Sequence, residues 1–189
     1  MKEQIRAIGI DDAPFKRFNS RTYIIGTLMR SRNYVEGISI KGIRIDGLDS
    51  TEKILSMLRG KFSKQIRIIF LSGITFAGFN IVDVDKLFKK TNIPVITITR
   101  KMPDFEKIES ALKKYFDDYE YRYDLITKYE IKELDFKNYK IFSQFVGIEE
   151  NEAKLIVEKF TVRGNIPEPI RISHLIGSAM KFGFSKGKT

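Results

Sequence analysis

An α/β fold, built as a three-strand antiparallel meander followed by parallel strands that alternate with helices, is what this sequence predicts. Three observations lead there. Ile66 to Leu71 is an apolar, β-branched run that breaks at Ser72-Gly73; a helical pattern and a second run, Pro94 to Thr99, follow, which reads as one βαβ unit. Ahead of it lie three runs with strand character and only short polar breaks between them. Finally, 189 residues with 42% hydrophobic and 31% charged side chains suffice for one substantial core, so residues 1–189 are expected to form a single domain.

The elements follow in order. Ile5 to Asp11 alternates into a strand that ends on two carboxylates, Asp11 and Asp12, before Pro14 stops it. Arg21 to Arg30 and Tyr34 to Ile45 are two further strands around a polar turn at Ser31-Arg32-Asn33. Gly47 to Glu52 supplies turn and helix-capping chemistry, and the spacing of Ile54, Leu55, Met57 and Leu58 predicts a helix to about Gly60. Inside the βαβ unit the helix is expected over Phe79 to Lys90. Pro103-Asp104 opens another helix with Phe105, Ile108, Leu112 and Tyr115 on one stripe. Asp117 to Tyr123 reads as a charged, tyrosine-rich passage without a defined element. Lys128 to Leu134 and Tyr139 to Val146 look like strands around the turn 135–138. Glu149 to Phe160 is a helix with acids in its first turn, as the helix dipole favours. Pro167-Glu168-Pro169 precedes a last helix, Ile170 to about Phe182. This order of elements is that of a ribonuclease-H-like fold; a doubly wound, flavodoxin-like fold is the structural alternative.

Composition narrows the chemistry. With no cysteine there is no disulfide, no thiol nucleophile and no thiolate metal site, so any metal must take oxygen ligands or the single histidine, His174. No run approaches the roughly 18 apolar residues of a membrane span and the start lacks a signal-peptide core, so a cytoplasmic protein without a membrane partner is expected. The net charge of +10 is concentrated at the ends: residues 1–67 carry 14 Lys and Arg against 7 acids, residues 68–180 carry 17 of each, and the tail 181–189 adds three lysines. A localised basic surface attracts polyanions, which makes nucleic acid the expected partner; a solvated basic face without a ligand is the alternative.

Ligands of open α/β sheets sit at the carboxyl ends of parallel strands, so chemistry should gather near Ser72 and Thr99. Asp11 and Asp12 end the first strand, and Asp46 and Asp49 end the third, which runs parallel to the first; both acid pairs should therefore project from one edge. Paired acids there supply oxygen ligands for a divalent cation such as Mg²⁺. Asp49 also suits a helix cap toward Thr51 or Glu52, and for it the cap is the stronger reading. In the last helix, His174 lies off the apolar stripe of Ile172, Leu175, Ile176 and Ala179 and shares a face with Arg171 and Ser178, where it would assist a metal-bound water or contact phosphate. Thr75 to Asn80 has small residues that would let backbone amides approach an anion, with Thr75 and Asn80 as contacts, and Arg100 and Lys101 follow the next strand within reach of the same cleft. The spacing is neither a P-loop nor a dinucleotide fingerprint, and no Ser-His-Asp arrangement is legible.

The blocks Gly9 to Phe15, Ile45 to Thr51, Leu71 to Asp83, Pro94 to Phe105 and Pro167 to His174 resemble an archaeal family, domain of unknown function ninety-nine, across nearly the whole chain. That family is in turn similar to endonuclease V, a ribonuclease-H-like, Mg²⁺-dependent enzyme, with Mn²⁺ as a substitute metal, that cuts near deoxyinosine in DNA or inosine in RNA. The resemblance implies that Asp11 binds metal, that Asp49, with Asp46 as competitor, takes the place of the enzyme's glutamate before its first long helix, and that His174 matches its late histidine. It implies catalytic roles for Asp11, Asp49 and His174. Ser72-Gly73 departs from it, standing where endonuclease V has Asp-Gly; a serine hydroxyl is a poorer Mg²⁺ ligand than a carboxylate. Thr75 to Phe79 replaces the enzyme's His-Pro-Arg, and its strand-separating wedge has no counterpart near Tyr34 to Gly37. A non-catalytic nucleic-acid-binding protein on the same fold, and an enzyme for a small phosphorylated metabolite bound at Thr75 to Asn80, are the competing expectations.

Overall fold

The computed structural model describes residues 4–16, 18–59, 63–136 and 139–185. β1 (Arg6–Asp12), β2 (Arg21–Arg30) and β3 (Tyr34–Arg44) form the antiparallel meander. α1 (Ser50–Met57), β4 (Ile66–Leu71), a short hairpin of β5 (Thr75–Phe76) and β6 (Asn80–Ile81), α2 (Val84–Thr91) and β7 (Val95–Thr97) follow. The chain then runs through α3 (Phe105–Tyr115), α4 (Tyr119–Thr127), β8 (Lys132–Phe136), β9 (Tyr139–Ser143), β10 (Phe145–Val146), α5 (Glu150–Phe160) and α6 (Glu168–Phe182). The main sheet has the order β10-β7-β4-β1-β2-β3, with β1, β4 and β7 parallel and β2 and β10 antiparallel to their neighbours.

Alternation along β1 sorts its side chains between two layers, as the two-residue period of a strand requires. Ile8 and Ile10 pack on one face with Ile24, Leu28, Ile54 and Leu87, beneath α1 and α2. Ala7 packs on the other with Phe70, Ile96, Ile156 and Phe160, beneath α5. α6 lies on β1 and β2 by close approach. A Cβ on Gly9 would sit 2.3 Å from the Pro169 carbonyl carbon, and one on Gly177 would sit 3.0 Å from the Ala13 Cα, so hydrogen at both positions lets the helix settle on the sheet. Buried Ser173 fixes the register: its hydroxyl donates to the Gly9 carbonyl at 2.8 Å and pairs with the Thr27 hydroxyl at 2.8 Å.

The structure departs from the sequence expectations at several points. The helix expected from Phe79 begins at Val84, where Asp83 caps it by accepting from the Lys86 amide at 2.9 Å. Residues 75–81 form a hairpin instead, because Ala77 and Gly78 both take positive φ, at 46° and 86°. The passage Asp117 to Tyr123 is largely helix α4, whose polar and aromatic residues alternate without an apolar stripe that would have announced it. The expected strand Lys128 to Leu134 starts at Lys132, and Tyr139 to Val146 divides in two: β9 pairs with β8, while β10 joins the main sheet. Residues 137–138 of the expected turn, Gly60 and the tail from residue 186 lie outside the described residues.

Candidate active site

The parallel strands deliver the ends of β1, β4 and β7 to one edge, so Asp11, Asp12, Ser72 and Thr99 emerge together. α6 completes the site. With Ser173 on Gly9 and Gly177 over Ala13, the intervening turn holds His174 above Asp11, and His174 Nδ1 lies 2.9 Å from Asp11 Oδ2. Asp11 is 5% exposed, whereas the His174 side chain is 57% exposed. A cavity of about 370 Å³ opens beside this pair, lined by Asp11, Ser72, Thr99, Arg100, Arg171 and His174 over a floor that includes Ile98 and Ile170.

The electrostatics follow from these neighbours. The hydrogen bond to Asp11 raises the His174 pKa above its ordinary value, against opposing contributions from burial and Arg100. Asp12 is pushed up to about 6 by burial, opposed by the Ala77 amide and reinforced by the Asp11 charge. Arg171 is held by buried Glu168, with Nη2 to Oε2 at 2.6 Å, so part of its charge is answered before any ligand arrives. Arg100 has no ion-pair partner among the described residues. Lys101 is exposed and does not line the cavity.

Asp46 and Asp49 reach the same edge, as the parallel course of β1 and β3 requires, but they serve the hairpin and do not line the cavity. The Ala77 amide donates to Asp12 Oδ2 at 2.7 Å, the Asp46 amide to the Ala77 carbonyl at 2.8 Å, and the Phe79 amide to Asp46 Oδ1 at 2.8 Å. Asn80 is 0% exposed: it accepts from the Ser50 amide at 3.0 Å and donates to the Arg44 carbonyl at 2.8 Å and to Asp49 Oδ1 at 2.7 Å. The amides of 77 and 79 that would have met a phosphate thus already hold carboxylates, and Asn80 is enclosed. Of the two residues expected to contact an anion there, Asn80 is thus turned to Ser50, Arg44 and Asp49, and Thr75 lines a second, smaller cavity. Asp49 occupies the N-cap position of α1 without capping it through its side chain, which is turned to Asn80 and to the Arg44 amide at 3.2 Å. Tyr34 to Gly37 lie at the opposite edge, where Tyr34 pairs with Arg30 and Arg30 with Arg6.

Sequence reasoning missed Arg122, a buried arginine on α4. Its Nη1 donates to the Gly47 carbonyl at 3.1 Å and the Phe79 carbonyl at 2.5 Å, bracing the hairpin and the loop after β3 together. Its ion pair with Asp118, Nε to Oδ1 at 2.7 Å, is local, four residues back on the same helix, but the two carbonyls it braces are distant in sequence and leave no pattern.

Among the described residues no three His, Asp or Glu side chains cluster as a preformed metal cage. Mg²⁺ commonly takes one or two carboxylates and completes its shell with water and substrate phosphate; Asp11 offers one such carboxylate at the cavity, while Asp12, held by the Ala77 amide, does not line it.

An edge of parallel strands flanked by an antiparallel meander gives a ribonuclease-H-like α/β fold, similar to that of endonuclease V catalytic domains. Solved structures agree on the fold. Endonuclease V of Ciona intestinalis in complex with inosine-containing DNA aligns with a TM-score of 0.59 at 15% identity, over 90% of this chain and 83% of that one. The catalytic domain of human endonuclease V gives 0.58 at 11% identity, over 90% and 79%. A protein of unknown function from Archaeoglobus fulgidus is much nearer, with a TM-score of 0.83 at 39% identity over 93% of this chain and 98% of that one. A UPF0215 protein of Methanocaldococcus jannaschii is 44% identical over 94% of this chain and 95% of its own length. The profile of the endonuclease dU family matches residues 3–181, and the chain belongs to that family.

Proposed function

We propose that this protein hydrolyses a phosphodiester of nucleic acid in the cavity beside Asp11 and His174. The observation that carries the reading is the 2.9 Å pair of Asp11 and His174 in a cavity that also receives Arg100 and Arg171 at the carboxyl edge of the sheet. The family description, endonuclease dU, supports DNA containing deoxyuridine as the first substrate to test; the inosine-bearing DNA bound by an endonuclease V of the same fold supports inosine as the second. Mg²⁺, or Mn²⁺ in its place, would be held by Asp11, and would neutralise charge developing on the phosphate.

The side chains divide the remaining work. Asp11 accepts from Nδ1 of His174, which fixes the ring and leaves its other nitrogen for the substrate. Because Asp11 favours the protonated ring, His174 is suited to donating a hydrogen bond or a proton to a phosphate oxygen. Arg100 supplies positive charge at the cavity wall, and Arg171, anchored by Glu168, does so from a fixed position. Ser72 offers a neutral hydroxyl where the endonuclease V pattern has a carboxylate.

The neutral Ser72 and the absence of a three-acid cluster among the described residues favour a second reading, nucleic-acid binding without turnover. Labelled single- and double-stranded DNA and RNA, each unmodified, with uracil or with inosine, separate the two in Mg²⁺ or Mn²⁺. Hydrolysis predicts metal-dependent cleavage of at least one substrate; the binding reading predicts salt-sensitive association and no cleavage of any.

A further inference from the structure

A second cavity, of about 160 Å³, adjoins the candidate site. Thr99 lines both cavities, and Gly73, which lines the second, directly follows Ser72 of the first. Its walls are mainly apolar, with Ile74, Pro103, Ile108 and Phe142 among them. At roughly 30 Å³ per molecule this is the room of about five waters, which suits one heterocyclic ring and falls below the ~300 Å³ from which drug-sized sites begin.

The polar side chains on its wall are Thr75, Thr97, Thr99, Ser143 and Gln144, of which Gln144 alone is a carboxamide. Gln144 is 4% exposed and lines the wall. Its Nε2 donates to the carbonyls of Ile126 at 2.8 Å and Tyr129 at 2.6 Å, so both amide hydrogens are spent and the orientation of the amide is fixed. Oε1 accepts from no described residue, yet no buried side-chain oxygen or nitrogen among them lacks a partner, so Oε1 is an accessible acceptor. Thr97 and Thr99 cannot answer it, because their hydroxyls donate to the carbonyls of Gln144 and Phe142.

From this we infer that the cavity walled by Gly73, Ile108, Phe142 and Gln144 receives a single-ring nucleobase turned out of its strand and reads a ring N–H, such as the uracil imide, through Gln144 Oε1. The inference rests on the nucleic-acid reading above. A base in this cavity lies next to the phosphate cavity through their shared wall at Thr99, so base recognition and backbone chemistry involve neighbouring parts of one nucleotide strand. An acceptor held in an apolar cavity discriminates strongly, because a ligand without the donor leaves it unpaired.

The test is equilibrium binding, in chelator so that nothing is cleaved, of three otherwise identical single-stranded oligonucleotides carrying one uracil, one N3-methyluracil or one abasic residue. The uracil strand is expected to bind about tenfold more tightly than the other two, the worth of one buried hydrogen bond and its desolvation. Ile108→Phe fills the cavity from a half-buried position and should erase that preference while leaving the salt-sensitive binding of the abasic strand. Equal binding of all three strands by the wild-type protein, or an undiminished preference in Ile108→Phe, overturns the inference. A protein that discriminates but never cleaves loses the hydrolysis reading and keeps this one; one that cleaves without discriminating does the reverse.

Discussion

Asp12 shows what a desolvated carboxylate costs at the edge of the sheet. Its carboxyl is half-buried and accepts an amide hydrogen bond from Ala77, which offsets only part of the cost of desolvating a charge. With a folded pKa of about 6 against an ordinary value of 3.8, the folded state holds a proton that the unfolded chain releases between those values. Stability from this group therefore falls as pH rises from about 4 to about 6 and stays reduced above that. Asp12→Asn keeps the acceptor for Ala77 and removes the charge. In chelator at pH 7 it should stabilise the protein by on the order of 2 kcal/mol, with the gain vanishing near pH 4, as read by urea unfolding across pH. A variant less stable than wild type at pH 7 would mean that the ionised carboxylate is welcome where it stands.

At the scale of elements, α6 and the hairpin decide what the edge can do. α6 brings His174 to Asp11 only because Gly9 admits the Pro169 backbone. Gly9→Ala places a methyl 2.3 Å from that backbone and should cost about 3 kcal/mol or displace the helix, seen as a lowered urea midpoint together with loss of the Asp11 influence on the His174 titration. On the other face, Asp85 of α2 accepts from Lys128 at 2.5 Å and from the Tyr129 hydroxyl, tying α2 to the segment after α4. Lys128 first, and Tyr129 next, lower the Asp85 pKa from 3.8 to about 2. The stability these bonds confer is complete above about pH 4 and disappears as pH falls through about 2. Asp85→Asn should flatten the pH dependence of unfolding in that window; an unchanged slope would show the tie to be without energetic weight.

Over the whole molecule, the parallel strands, the meander and the carboxyl edge were legible because β-branched runs and alternation report burial directly. Asp11 at the strand end and His174 off the apolar stripe could each be singled out, but nothing in the pattern brought the two together; their contact depends on how the last helix settles on the sheet. The hairpin at 75–81 was not legible, since its two positive-φ residues include Ala77, a residue with no turn signature, and the pairs that fix it run from Asp12 and Asp46 across more than 30 positions. The separation of Asp49 from the cavity was hidden for the same reason: Asn80 had to be seen folded against it. Sequence pattern registers what a residue repeats with, and long-range polar pairing leaves no such period.

The proposed chemistry falls to Asp11 and His174, while Asp46 and Asp49 belong to the architecture of the hairpin. Comparing cleavage rates of Asp11→Asn and Asp49→Asn on whichever strand the wild-type protein cuts, each checked for folding by circular dichroism, tests this most directly. The prediction is a loss of at least about a hundredfold in Asp11→Asn, the scale of a lost catalytic group, with Asp49→Asn folded and within a few-fold of wild type. A folded Asp49→Asn that no longer cleaves, or an Asp11→Asn that cleaves at the wild-type rate, would contradict it.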